Sequence, residues 1–456
     1  MQKILLFIAS LFYFNSLFAK DEIKSWQGIH ETPLSRLEQQ FADPPVEFAN
    51  HVIWGWEGKM DKKTICNDLD SIKKKGFRAI IFEAGYKLPF KYLSEEWFKA
   101  IRTGVLEAKK RGMKVWIIDE GKYPSGFAGG KFSQERPDLR MQALVIGDTI
   151  QIKRGEVMTN HKIAPEIISA VAVSTSGAPN RTVAINNGEI SFNAGLDDWK
   201  ILLVKSDFRT AVTRAVNNPN GGKDATNSLC DYLNPVAVQQ FIDWTHEQYK
   251  KYLGKELGTT VLGFRGDEPD YAHLPWTPSI VQTFKDTKGY DPTPYLASFF
   301  TTSPTIQEQR VKADYWDVWS SLFATHFFKL QADWCAANGV AHITHLNKEH
   351  EMPACVKAEG DYFRNLSKVQ IPGVDAIWNQ IWPGTLNDFP KLASSVAHVY
   401  GKPRAFSESF AAYHISPTIP QAKFVVDHQI ARGINFFEFM FWPAGSKHRL
   451  SLINIF

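Results

Sequence analysis

"GFRAIIFEAGYKLPFKYLSEEWFKAIRTGVLEAKKRGMKVWIIDE", residues 76 to 120, holds two short apolar runs with a helical pattern between them. The runs FRAIIFEA (77–84) and MKVWIIDE (113–120) have the continuous hydrophobicity of strands buried on both faces. Ser94 stands where a helix cap is wanted, and Gly76 and Gly112 precede the strands, where a helix ends on a residue of positive φ. This is a strand–helix–strand unit of a parallel sheet.

The same rhythm runs outward in both directions. Further strands are expected at HVIWGW (51–56), VLGFRGDE (261–268), AHITHL (341–346), VDAIWNQ (374–380), PRAFSES (403–409) and INFFEFMFW (434–442), with Gly339, Gly373, Gly401 and Gly433 before the last four. Asn234 and Pro235 open another helix as cap and first residue. Eight strands alternating with helices predict a (β/α)8 TIM barrel, an α/β fold, over residues 51–456. Residues 140–206 break the rhythm with strand-like segments and Asn/Gly turns, so a small β-rich insertion is expected after the third strand. A polar lead covers 20–50. The chain runs about a dozen residues past the eighth strand, so weakened closure of the barrel is expected.

Residues 1–19 read as a signal peptide: Lys3, an apolar run from Ile4 to Phe14, and Ala19 at the cut. Export to the periplasm or the extracellular space is expected, and no segment is long and apolar enough for a membrane span. Cys66, Cys230, Cys335 and Cys355 lack zinc spacing; one or two disulfides fit an exported chain, with the pairing left open. A formal net charge of +4 argues against nucleic acid as partner. The 14 Trp, 14 Tyr and 32 Phe suit a core, and also suit the apolar faces of sugars.

Catalytic groups of such barrels sit at the C-terminal strand ends. There the sequence places Trp54 and Trp56, then Asp119, Glu120 and Tyr123, then Asp267 and Glu268, His345, Trp378 and Trp382, Glu408, and Trp442. Two carboxylates among aromatics are the equipment of glycoside hydrolysis: one protonated to release the leaving oxygen, the other ionised to activate water or attack the sugar. Glu268 and Glu408 are the catalytic candidates, because both close strands of one barrel; the others are substrate-binding candidates. HLNKEHE (345–351) is not a HExxH zinc motif, and GxSxG is absent.

IIDEGKYPSGFAGG (117–130), DYLNPVAVQQFIDWTHEQY (231–249), GFRGDEP (263–269) and FSESFAAYHISPTIPQAKFVVDHQIARGINFFEFMFWP (406–443) together resemble the α-L-rhamnosidase family GH106 and its relatives. The resemblance implies an exported hydrolase of oligo- or polysaccharides that inverts the anomeric carbon, with its acid and base on Glu268 and Glu408. It also implies a bound Ca2+, for which Glu349, Glu351 and Asp361 are the candidate ligands. Asp267 before Glu268, where retaining barrels carry Asn, favours inversion. The alternatives are a retaining glycosidase of another sugar and a carbohydrate-binding remnant without turnover.

Overall fold

The computed structural model describes residues 33 to 445 apart from 122, 211–212, 215–222, 225–227, 270, 272–273, 386 and 414–416. The signal peptide therefore lies outside the described residues. Eight parallel strands close a barrel: β1 (His51–Trp56), β2 (Ala79–Ala84), β3 (Lys114–Ile118), β4 (Val261–Gly266), β5 (Ala341–Thr344), β6 (Ile371–Ala376), β7 (Phe406–Ser409) and β8 (Phe436–Pro443). Each lies beside its neighbours in chain order, and β8 pairs with β1.

Side-chain alternation splits the apolar residues into two layers. Ile53, Ile81, Trp116, Ile118, Leu262, Ile343, Ile371 and Phe406 fill the lumen. Trp54, Trp56, Phe82, Phe264 and Val374 face the other way, into the shell between the barrel and its helices. Ser94 caps the helix Glu95–Lys110 by accepting from Trp97 N, and Asn234 caps Pro235–Trp244 by accepting from Val236 N.

Four expectations change. Gly373 does not precede a strand but lies inside β6, where a Cβ would sit 2.1 Å from the Phe406 ring; the position is glycine for lack of room. That strand also begins and ends earlier than expected, since Trp378 and Asn379 leave it at positive φ. The barrel is closed. Beyond the β1–β8 pairing, Asp68 Oδ2 accepts from both Trp54 Nε1 (3.2 Å) and Gly445 N (2.8 Å), fastening the end of the last strand to the first strand and helix. All four cysteines are free, so no disulfide supports the fold.

The insertion runs between β3 and β4. Its long strands Gln142–Ile152, Ile167–Ser174 and Trp199–Phe208 form an antiparallel sheet with its own apolar core around Ile152, Phe192, Trp199 and Ile201. Pro275–Trp276, just after β4, joins that sheet beside Gln142 and Ala143. The insertion is thereby tied to the segment that follows Asp267 and Glu268.

Candidate active site

Backbone strain marks one end of the barrel. Glu268, Lys348, Trp378, Asn379, Phe410 and Ala412 all have positive φ and all lie just beyond the ends of β4, β5, β6 and β7. Non-glycine residues rarely hold that conformation, and such clusters accompany functional sites.

At this end a single guanidinium organises the carboxylates. Arg265, on β4, is fully buried. Its Nη1 is 2.8 Å from Asp267 Oδ1, its Nε is 3.0 Å from Glu438 Oε2, and its Nη2 meets Glu408 Oε2. Asp375, Glu408 and Glu438 stand at matching register on β6, β7 and β8, so three acids of neighbouring strands line one level of the barrel. Asp267 beside Glu268 is tolerable because Arg265 takes up the first carboxylate and the turn at Glu268, at φ 39°, directs the second elsewhere.

His345, after β5, completes the centre. Its Nε2 is 3.3 Å from Glu408 Oε2 and 3.5 Å from Asp267 Oδ1, while Nδ1 lies 3.0 Å from Leu346 O and 3.7 Å from Glu349 Oε1. Burial alone would lower its pKa, but these carboxylates overcome it and hold the imidazole well above its ordinary value. Arg265 Nη2 and His345 Nε2 are 2.9 Å apart because both converge on the same Glu408 oxygen.

The acids divide into two kinds. Burial works to raise Asp267, but Arg265 and His345 outweigh it and hold this carboxyl well below the usual range. Glu268 is half-buried, and burial with the charges of Asp267 and Glu408 pushes it up to about 7. Asp375 goes well above the carboxylate range through burial and the Glu408 charge. The carboxylates of Glu268 and Asp375 and a ring nitrogen of His345 lie within 4.8 Å of one another. Such a group can hold a proton at neutral pH beside carboxylates that do not.

The loop after β3 braces this centre from one side. Asp119 Oδ1 accepts from the Ser125 hydroxyl (2.6 Å), and Ser125 Oγ in turn accepts from Asp267 N (2.7 Å). Glu120 accepts amide hydrogens from Gly121, Ala128 and Gly129, so both its oxygens are spent on the loop. Asp119 and Glu120 are buried, at 0% and 1% exposure, and pushed by burial to about 7 and about 8. These hydrogen bonds hold the loop, and neither carboxylate is exposed at the rim.

The aromatic candidates also sort by position. Trp54 and Trp56 lie in the outer shell, and Trp442, the register partner of Trp54, packs against that shell; none of the three faces the acid centre. The reason is parity, since the lumen-facing residue of β1 is Ile53. Trp382 packs beside Tyr413, with ring centres 5.9 Å apart, and Tyr123 is half-buried in the loop after β3. Trp378 is the exposed ring of this rim, at 55%.

The proposed calcium set does not converge. Glu349 accepts from Leu346 N, Asp361 caps the helix Tyr362–Leu366 by accepting from Arg364 N, and Glu351 faces solvent. The carboxylates that do converge already meet the positive charge of Arg265. Calcium prefers several oxygen ligands at one point, and these three residues do not offer it.

The raised carboxyls set the sign of the pH dependence of stability. Glu268, Glu438 and Asp119 at about 7 and Glu120 at about 8 stand above unfolded values near 4. The folded chain then holds protons that the unfolded chain releases. This stabilisation is complete below pH ~4 and is lost as pH rises through 7 to 8. Asp267 acts oppositely, but only in acid below about pH 4. The thermal midpoint measured by calorimetry should be higher at pH 5.5 than at pH 8.5; a flat or rising midpoint over that range would show these groups ionised in the fold.

Comparison with known proteins gives three findings. The family model described as alpha-L-rhamnosidase matches residues 158–443, which runs from within the insertion to the last residue of β8. A protein of Formosa agariphila named "Putative beta-glucuronidase" is 24% identical over 465 aligned positions, covering 89% of this chain and 38% of its own length. The solved structure of a rhamnosidase from Novosphingobium sp. PP1Y superposes with a TM-score of 0.68 at 15% identity, covering 91% of this chain and 56% of the other. The chain thus spans about two fifths and somewhat over half the length of these two relatives.

Proposed function

The chain belongs to the glycoside hydrolase family whose model is described as alpha-L-rhamnosidase, and from that premise we propose that it is an exported glycosidase that releases terminal sugars by inverting acid–base hydrolysis, with Glu268 as acid and Glu408 as base. The observation that carries this reading is the pairing of a carboxyl pushed up to about 7 with a carboxylate fixed by Arg265 and His345 at the same barrel end. Glu268 delivers its proton to the glycosidic oxygen as the bond breaks. Glu408 takes a proton from the water that attacks the anomeric carbon from the other face. Burial keeps Glu268 protonated, helped by the like charge of Asp267, which stays ionised on Arg265. Asp375 is a second proton-holding group within reach of Glu268.

The substrate is a terminal sugar of an oligo- or polysaccharide, with α-L-rhamnose first among the candidates; the name of the Formosa agariphila relative makes a glucuronide the next to try. Export rests on the charged start and apolar run of residues 1–19. The test is a panel of aryl α- and β-glycosides including α-L-rhamnoside and β-D-glucuronide, with proton NMR of the first-formed anomer. A product of inverted configuration supports the assignment. Retained configuration makes Glu408 a nucleophile, and no turnover of any glycoside favours a binding protein.

Trp378 stacks on the sugar in this reading, being an exposed ring at the rim next to the acids. Trp378→Ala should raise KM several-fold with a smaller change in kcat and no loss of thermal stability. An unchanged KM on the best substrate would remove Trp378 from the binding site.

A further inference from the structure

A second buried cluster lies outside the acid centre, in the shell between barrel and helices. His246 opens the helix His246–Leu253, Cys335 sits on the helix Lys329–Ala337, and His342 is on β5. Ala341 and Ile343 point into the lumen, so His342 between them points outward, under the two helices. His246 and Cys335 are fully buried and His342 is 1% exposed. One ring nitrogen of each histidine and the Cys335 sulfur lie within 4.8 Å of one another.

The hydrogen bonds around His246 fix its tautomer. The Thr245 hydroxyl donates to Phe241 O (2.7 Å), so its oxygen, 2.9 Å from His246 Nδ1, accepts a hydrogen from that nitrogen. With the proton on Nδ1, Nε2 carries a bare lone pair, and it has no hydrogen-bond partner among the described residues. Both ring nitrogens of His342 are likewise buried without a partner. The walls are aromatic: the rings of Phe264 and Trp334 lie 4.2 and 5.2 Å from His246. Buried polar atoms are nearly always satisfied, and unpartnered nitrogens on both of the histidines that meet one thiol are what packing alone leaves unexplained. A neutral imidazole with its second nitrogen anchored by a hydrogen bond is the form in which histidine ligates metals.

We propose that His246, Cys335 and His342 hold one thiophilic transition-metal ion. A thiol and two imidazoles are soft and borderline ligands, which select copper and zinc over calcium or magnesium. On binding, Cys335 gives up its proton and coordinates as thiolate. The ligand set then carries one negative charge. A cuprous ion makes the site neutral, whereas zinc leaves a net positive charge among apolar walls, which is costly to bury. Cuprous copper is therefore the favoured occupant.

The full chain is produced in cells supplied with copper or with zinc, dialysed, and its metal content measured per chain. The expected result is one copper per chain, lost in Cys335→Ala and in His342→Leu while glycosidase turnover persists. X-ray absorption at the copper edge of the unmutated protein should show sulfur and imidazole neighbours, which keeps the proposal testable if a variant fails to fold. One zinc per chain with the same dependence on Cys335 supports the site and overturns the choice of copper. Less than about a tenth of an equivalent of either metal, or metal that survives both substitutions, overturns the site.

Discussion

Glu268→Gln should slow the hydrolysis of an unactivated glycoside by about a hundred- to ten-thousand-fold, the range that positioned acid–base catalysis contributes. The substitution keeps size and removes the proton that the site holds up to about 7. A good aryl leaving group departs without protonation, so it should recover much of the loss in Glu268→Gln and little in Glu408→Gln. The pH profile gives an independent reading. The acid must be protonated to act, so kcat/KM should fall as pH rises through about 7, and that limb should vanish in Glu268→Gln on the activated substrate. If both Gln variants turn over an unactivated glycoside at near the unmutated rate, neither residue is the acid or the base. Should the alkaline limb persist in Glu268→Gln, Asp375 becomes the proton donor, since its carboxyl shares the same cluster.

The second large effect belongs to Arg265. Arg265→Met should destabilise the fold by about 3–5 kcal/mol, the cost of removing one partner from a buried ion pair, because Asp267, Glu408 and Glu438 lose their common cation together. Denaturant unfolding measures it. The penalty should be larger at pH 8 than at pH 5, since in acid the stranded carboxyls take up protons. Arg265→Lys keeps a charge but not the fork that reaches three acids at once, so it should recover only part of the loss. A Met variant within about 1 kcal/mol of the unmutated protein would mean that these carboxyls are already largely protonated in the fold.

The barrel was legible because each βα unit carries its own signals: an apolar run, a cap such as Ser94 or Asn234, and a glycine such as Gly433 at φ 88°. The strand-end acids followed from the barrel. Which way a side chain points was not legible for β1, because Ile53, Trp54 and Trp56 are all apolar and both faces of the strand are buried. Trp54 and Trp56 were thus misread as pocket residues. Glu438 and Asp375 carry a signal in the sequence: a lone acid inside an apolar strand, as in FFEFMFW, is too costly to bury unless something meets it. What met Glu438 was Arg265, from β4, a pairing across the barrel that no local pattern contains. The three calcium candidates failed for the converse reason. They are close in sequence, but a helix cap and a tight turn send their carboxylates apart.

The β1–β8 seam joins the first strand of the barrel to the last. During synthesis at roughly 5–20 residues per second, Phe436 leaves the ribosome about 20 to 80 s after His51. For that interval HVIWGW has one edge without its native neighbour, and the Trp54–Asp68–Gly445 fastening has no third member. An unpaired apolar strand edge is a template for association with other chains. Nascent chains stalled before β8 should therefore bind holdase chaperones and aggregate, while chains completed through Gly445 should not. The seam sets a clock on biogenesis: the barrel has no closed form until its last strand arrives.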